Sequence, residues 1–298
     1  MPAPKPPGRI RVGIGGWNYE PWRKTFYPPG TAQARELEYA SQRVTSIEIN
    51  GTFYRLQKPE VFGKWHDATP KEFVFSVKAP RFISHILRLR DVQTPLANFL
   101  ASGLLRLGPK LGPILWQFPP NLHYDKKLFE AFFALLPHDT SAAIAMARQH
   151  GLQKNRVWLE TDKQRPIRHA VEIRHESFRD EGFIRMLRRF NIALVCADTV
   201  EWPRLMDVTS NFIYCRLHGS ERLYASGYDS KALGEWEKRV RAWAAGEEPA
   251  DAERVGGPGK PRKSGRDVFL YFDNDIKVKA PENAAGLAKR LEPAALPE

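Results

Sequence analysis

Ionisable or polar residues spaced two apart recur along the chain: Glu48 with Asn50, Ser76 with Lys78, Glu172 with Arg174, and Arg216 with His218. Each pair lies in or at the end of a short apolar run, and a two-residue spacing in a strand puts both side chains on one face. Three carboxylates (Glu48, Glu172, Asp198), three cations (Lys78, Arg174, Arg216) and His218 are then candidates for one cavity. Carboxylates set among cations take different pKa values, which is the requirement for acid–base catalysis. In this reading Glu172 or Glu48 is the general base, with Lys78 or His218 as acid or electrostatic stabiliser. Arg174 and Arg216 would hold a small anionic or polyhydroxylated ligand, bidentately if it carries carboxylate or phosphate. Isomerisation, epimerisation or hydrolysis of a sugar-like compound fits such a set, and so does a ligand site without turnover.

Two other chemistries compete. Glu48, Glu172, Asp198 and His218 form an O/N-rich set suited to Mg²⁺, Mn²⁺ or Zn²⁺. Cations alternate with those ligands, and no H-x-E-x-H or C-x-x-C spacing occurs, so a divalent metal is not favoured and the cofactor stays open. The other is a nucleic-acid or anionic-polymer surface. Basic clusters lie at 81–90 (RFISHILRLR), 147–156 (ARQHGLQKNR) and 185–190 (RMLRRF), with a formal charge of +12 behind them. No recognisable nucleic-acid module accompanies them.

The elements that must position these residues are eight short strand-like runs, at 10–17, 46–54, 73–80, 113–120, 169–178, 192–199, 212–219 and 267–275. Helical patterns fill most intervals, for example 125–137 with Asp125 as N-cap. The stretch after strand six is the exception, reading as an irregular turn or short helix. Strand followed by helix, eight times over, predicts an α/β fold: a single (β/α)8 TIM-like barrel over residues 10–293. A helical embellishment (138–168) precedes strand five, and a Pro-, Gly- and charge-rich insert (246–266), expected to be a mobile loop, precedes strand eight. Residues 1–9 and 294–298 read as tails.

Alternation then assigns faces. Glu48, Asn50 and Thr52 turn inward, as do Ser76 with Lys78, Gln117, Glu172 with Arg174, and Tyr214 with Arg216 and His218. Strand six is expected to turn Cys196 and Asp198 inward, which would put Cys196 and Cys215 on opposite faces. Gly13 and Gly15 leave room at the axis, and Trp17 after them would wall a pocket or serve as core. Strand eight is ambiguous: Tyr271 with Asp273, or Phe272 with Asn274, faces in. The polar members gather toward the carboxyl ends of the strands, where barrel enzymes build their sites. A salt-bridged plug is the structural alternative.

Composition narrows the setting. With 42% hydrophobic residues over 298 positions, the chain can bury a large core. No apolar run approaches membrane-spanning length and the Pro-rich start has no apolar signal region, so no membrane association is expected. Two cysteines in apolar runs fit a reduced cytoplasmic protein. Oligomeric state is not readable.

The segments GIGGW, FYPPG, EINGTFYR, VKAPRFISH, LGPILWQFPP, AVEIRHESF, YCRLHG and YFDND, in this order, resemble the YecE-like family, catalogued as domain of unknown function number 72. The resemblance runs from about Arg11 to Leu291. It implies a TIM barrel, loosely described as related to sugar isomerases. It also implies site positions at Trp17, Glu48, Asn50, Tyr54, Lys78, His85, Gln117, Glu172, Arg174, Arg216, His218 and Asn274. Asp273 stands where that family often has asparagine, adding a negative charge near the mouth.

Overall fold

The computed structural model describes residues 7–219, 223, 226–259, 261–262, 264–274 and 278–292. Eight parallel strands close a barrel in sequence order: β1 (Ile10–Gly15), β2 (Ser46–Ile49), β3 (Val74–Lys78), β4 (Leu111–Gln117), β5 (His169–Glu172), β6 (Ala193–Asp198), β7 (Phe212–Leu217) and β8 (Asp267–Phe272). The fold expected from the alternation of strand and helix patterns is the one observed. The strands are shorter than the apolar runs that announced them. Their tails turn into rim structure, such as the one-turn helix α2 (Gly51–Tyr54) that continues from β2.

Around the barrel run α1 (Glu36–Ser41), α3 (Pro59–Asp67), α4 (Gln93–Ala101), α5 (Lys126–Leu135), α6 (Thr140–Ala147), α7 (Glu181–Phe190), α8 (Ser230–Ala245) and α9 (Lys279–Leu291). Their starts follow capping chemistry. The carboxylates of Asp125, Asp139, Asp180 and Asp229 each accept a backbone N–H of the first turn, which satisfies an orphan donor. Helix α6 is the embellishment before β5. No helix forms between β6 and β7, in line with the irregular pattern there.

Of the tails, residues 1–6 and 293–298 lie outside the described residues, whereas Gly8 N–H donates to Ala244 O and Arg9 N–H to Asp267. The insert 246–266, apart from Lys260 and Lys263, which are not described, is tied down at several points. Asp207 accepts from the backbone of Val255 and Gly256, and Glu248 from Gly259.

Two apolar shells result. Ile14, Ile47, Ile49, Phe75, Val77, Trp116, Val171, Leu217 and Phe272 point outward onto the helices. Val74, Leu115, Ala170, Ala193, Val195, Ala197, Phe212, Tyr214, Phe269 and Tyr271 fill the interior. Tyr271 crosses the axis, its hydroxyl 2.7 Å from both Ser46 Oγ and Ser76 Oγ.

Strand six corrects the expected register. Ala193, Val195 and Ala197 face the axis, because the rings of Tyr214, Tyr271 and Phe269 already occupy that space and only small side chains fit beside them. Cys196 and Asp198 therefore point outward. Cys196 pairs in register with Cys215 on the same outer face, and both are free, buried thiols.

Candidate active site

Arg216 organises the barrel mouth. Its guanidinium is sealed from solvent at the carboxyl end of β7 and meets three carboxylates from three other strands. Nε and Nη2 donate to the two oxygens of Glu48 at 3.0 and 2.9 Å. Nη1 donates to Glu172 Oε2 and Nη2 to Asp273 Oδ2, both at 2.5 Å. Tyr214 Oη adds a 2.6 Å hydrogen bond to Glu48 Oε2. The Arg174 guanidinium donates to Glu172 Oε1 at 2.8 Å and lies 4.0 Å over the Trp202 ring. The two ring nitrogens of His218 sit 3.4 Å from Glu172 Oε2 and 3.2 Å from Asp273 Oδ2. Trp202 covers His218 edge-on.

Such a cluster survives burial only because each charge is neutralised nearby. Burial alone would raise the Glu172 carboxyl, but Arg216 and Arg174 beside it hold it well below the usual carboxylate range. Asp273 is likewise raised by burial and then brought down to about 2 by Arg216 and His218. Burial opposes the charge on Arg216, yet Asp273, Glu172 and Glu48 keep it firmly protonated.

The cluster has two layers. Glu48, Glu172, Arg216 and His218 are fully enclosed. Above them, Lys78 is 9% exposed, and the side chains of Asp273 and Arg174 are 11% and 13% exposed, so these three reach the solvent. Lys78 differs from the rest. Among the described residues no carboxylate lies within 4.0 Å of its Nζ, which sits 4.4 Å over the Phe53 ring. Burial, aided by Arg216, lowers its pKa to about 8 despite Glu48, Asp273 and Glu172 nearby. The carbonyl oxygen of Lys78 accepts from Thr52 Oγ1 at 2.7 Å, which locks the end of β3 to the rim of β2.

His85, on the π-helical turn Phe82–Ile86 after β3, packs edge-on against the same Phe53 ring, and its Nδ1 is 2.9 Å from Ser84 Oγ. Burial, Lys78 and Arg174 push its pKa down to about 4, so it is a neutral imidazole near neutral pH. Asn50 caps the end of β2, with its Oδ1 buried and unpartnered. The bare Cα of Gly15 makes room here: a Cβ would stand 2.5 Å from Asp273 Oδ1 and 3.3 Å from Asn50 Nδ2. The space expected from the glycines of β1 is thus taken up by Asp273 at Gly15, and by the Ser46 backbone and the Tyr271 ring at Gly13.

Glu48, Lys78, Glu172, Arg174, Arg216 and His218 are brought together as expected, with Asn50, Gln117 and His85 around them. Three expected members are not. Asp198 lies on the outer face, where Oδ2 accepts from Tyr228 Oη at 2.9 Å and Oδ1 from Arg204 at 3.4 Å. Asn274 also points away from the axis, with Nδ2 donating to Ser226 O and Asn283 Oδ1, which fastens the end of β8 to α9. Trp17 packs on Trp65 and the outward Phe75 as core, the other of its two expected roles. Tyr54 stands on the rim, 70% exposed.

Asp273, Phe53 and Trp202 belong to the site and were absent from the expected set. The Tyr271–Asp273 alternative for β8 held the signal for the first. Phe53 sits on the one-turn helix that takes over from the expected strand, where strand alternation no longer holds, and Trp202 lies in a rim loop, where no periodicity assigns a direction. With Asp198 removed and Glu48 and Glu172 engaged by Arg216, the metal-ligand set does not assemble. No group of three or more His, Cys, Asp or Glu among the described residues is arranged to hold a metal ion.

At the opposite, amino-terminal end lies a cavity of about 310 Å³ lined by Arg9, Arg11, Arg165, Arg168 and Asp267. Its cations are already engaged: Arg168 with Asp267, Arg165 with Asp162, and Arg11 with the carbonyl of Glu72. No described helix is long and apolar enough to cross a membrane.

Residues 11–298 match the family described as protein of unknown function DUF72. The chain belongs to this family. DUF72 relatives include the UPF0759 protein YecE of Escherichia coli K12, 29% identical over 189 residues that make up 57% of this chain and 65% of YecE. The UPF0759 protein YunF of Bacillus subtilis 168 is 29% identical over 116 residues, 37% of this chain and 40% of YunF. The match thus spans under two thirds of either relative. Among solved structures, the DUF72 protein TM1631 of Thermotoga maritima superposes with a TM-score of 0.69 at 21% identity, covering 96% of this chain and all of that one. The DUF72 protein EF0366 of Enterococcus faecalis gives 0.64 at 17% identity, covering 96% of each. Both share the fold.

Proposed function

We propose that this DUF72 protein is an enzyme doing acid–base chemistry of the isomerase, epimerase or hydrolase type on a small anionic or sugar-like substrate at the carboxyl-terminal mouth of the barrel. The observation that carries this reading is the layering of the charge cluster. A neutralised lower tier fixes an upper tier of Lys78, Asp273 and Arg174 that solvent reaches. Glu48 and Glu172, engaged by guanidinia, serve as fixed anions and not as the proton acceptor first expected. Proton transfer falls to Lys78, whose pKa of about 8 suits work near neutral pH, with neutral His85 beside it. Arg174 supplies the cation for a carboxylate or phosphate. The two free buried cysteines fit a reducing, cytoplasmic setting.

The test is a thermal-stabilisation screen with aldoses, sugar phosphates and small organic acids, with and without Mg²⁺ or Mn²⁺. At least one compound is expected to raise the melting temperature and to be converted to product. Stabilisation by none of them would remove the reading.

A second reading has its own observation. The large apolar side chains exposed among the described residues (Tyr54, Phe82, Ile86 and Val200) all follow the carboxyl ends of β2, β3 or β6, with Arg55, Arg81, Arg88 and Arg90 between them in sequence or close by. Aromatics among arginines suit a single-stranded nucleic acid. An anisotropy titration across salt separates the two, since phosphate contacts weaken steeply as salt rises.

A further inference from the structure

We propose that Lys78 is a covalent amine, forming an imine with an aldehyde or ketone that carries a carboxylate or phosphate. This rests on the small-ligand reading above and narrows it to a substrate class. Among the described residues, Glu48, Glu172 and Asp273 at the barrel mouth each pair with Arg216, yet none lies within 4.0 Å of Lys78 Nζ. A lysine that only balanced charge would be drawn to one of them. Lys78 is held instead against an aromatic ring, in the tier of the cluster that solvent reaches. Thr52 fixes its backbone, and His85 packs on the same Phe53 ring.

An amine in an apolar, cation-neighboured setting loses its proton readily and becomes a nucleophile. With a pKa of about 8, its neutral fraction at neutral pH exceeds that of an ordinary lysine by roughly two orders of magnitude.

The step balances without a redox partner. The Nζ lone pair attacks the carbonyl carbon, and the C=O π pair moves to oxygen. One N–H proton passes to that oxygen to give a carbinolamine. The hydroxyl then leaves with the remaining N–H proton as water, and C=N replaces C=O. Protonation of the imine nitrogen acidifies the neighbouring C–H bond, which is the chemistry an isomerase or epimerase needs. Arg174 would take the anionic group, since its guanidinium is partly exposed while Arg216 is sealed.

The test uses the full chain incubated with pyruvate or glyceraldehyde 3-phosphate, reduced with cyanoborohydride and mapped by peptide mass spectrometry. Lys78 is expected to carry the reduced adduct about tenfold or more above any other lysine, in keeping with its larger neutral fraction. K78R and K78M are expected to lose the adduct while still melting cooperatively. Labelling at Lys78 is expected to climb between neutral pH and about pH 9 as the amine deprotonates among Arg216, Glu48, Asp273, Glu172, Arg174 and His85. Adduct spread evenly over the lysines, or undiminished in K78R, overturns the proposal. Thermal stabilisation by either probe without a Lys78 adduct overturns the imine and leaves the ligand site standing. Neither stabilisation nor adduct overturns the imine, and the ligand site falls with it only if the whole screen above also fails.

Discussion

Arg216 grips Glu48 side-on, with Nε and Nη2 donating to the two carboxylate oxygens at 3.0 and 2.9 Å in a fully enclosed space. This fork leaves Nη1 and the second N–H of Nη2 for Glu172 and Asp273.

Replacing Arg216 would strand three buried carboxylates. R216M is expected to destabilise the fold by about 3–5 kcal/mol, the cost of breaking a buried ion network from one side. Chemical denaturation at neutral pH measures it. Lowering the pH should narrow the gap to wild type, because protonated carboxylates no longer need the guanidinium. A loss below about 1 kcal/mol would mean that the network is not load-sharing in solution.

Acid stability follows from Asp273. Its carboxyl is brought from 3.8 to about 2 in the folded chain, so its contribution is fully present above about pH 4 and lost as pH falls toward 2. The amount is on the order of 2 kcal/mol. Glu172, also depressed, adds to the same acid limb. D273N should flatten the stability profile between about pH 4 and 2, measured by denaturation midpoints across that range. An unchanged slope would contradict the ion pairing described.

Lys78 has the opposite sign. Its folded pKa lies below the ordinary value of 10.5, so the buried ammonium opposes folding below about pH 8, and the opposition is relieved as pH rises from there toward 10.5. K78M is therefore expected to be more stable than wild type at neutral pH by roughly 1–3 kcal/mol, with the gain shrinking at alkaline pH. A destabilised K78M would make this lysine a structural partner of the cluster.

The barrel and the inward faces of β2, β3, β5 and β7 were legible because polar and apolar residues alternate cleanly there, as in Ile47–Glu48–Ile49–Asn50 or Cys215–Arg216–Leu217–His218. Strand six failed that test. Its run from Ile192 to Ala197 is apolar throughout, so nothing in it distinguishes the two faces or fixes the direction of Asp198. What set its register was the bulk of Tyr214, Tyr271 and Phe269 on neighbouring strands, a packing fact with no local trace. In β8 both alternatives offered an aromatic and a polar residue, and the choice fell to Asp273 because Arg216 has an open Nη2 face and Gly15 no side chain. Phe53 falls on the one-turn helix that replaces the end of the expected strand, and Trp202 on a loop, so tertiary contacts decide the direction of both side chains.

The claim that the carboxyl-terminal mouth holds the ligand is tested most directly by comparing the two ends of the barrel. Binding of ribose 5-phosphate and pyruvate is measured by calorimetry for wild type, R174Q, D273N and, at the amino-terminal cavity, R168Q. Binding is expected to weaken by about tenfold or more in R174Q, as loss of a charge-assisted contact dictates, and to shift in D273N, with R168Q like wild type. Binding lost in R168Q and kept in R174Q and D273N would contradict the account.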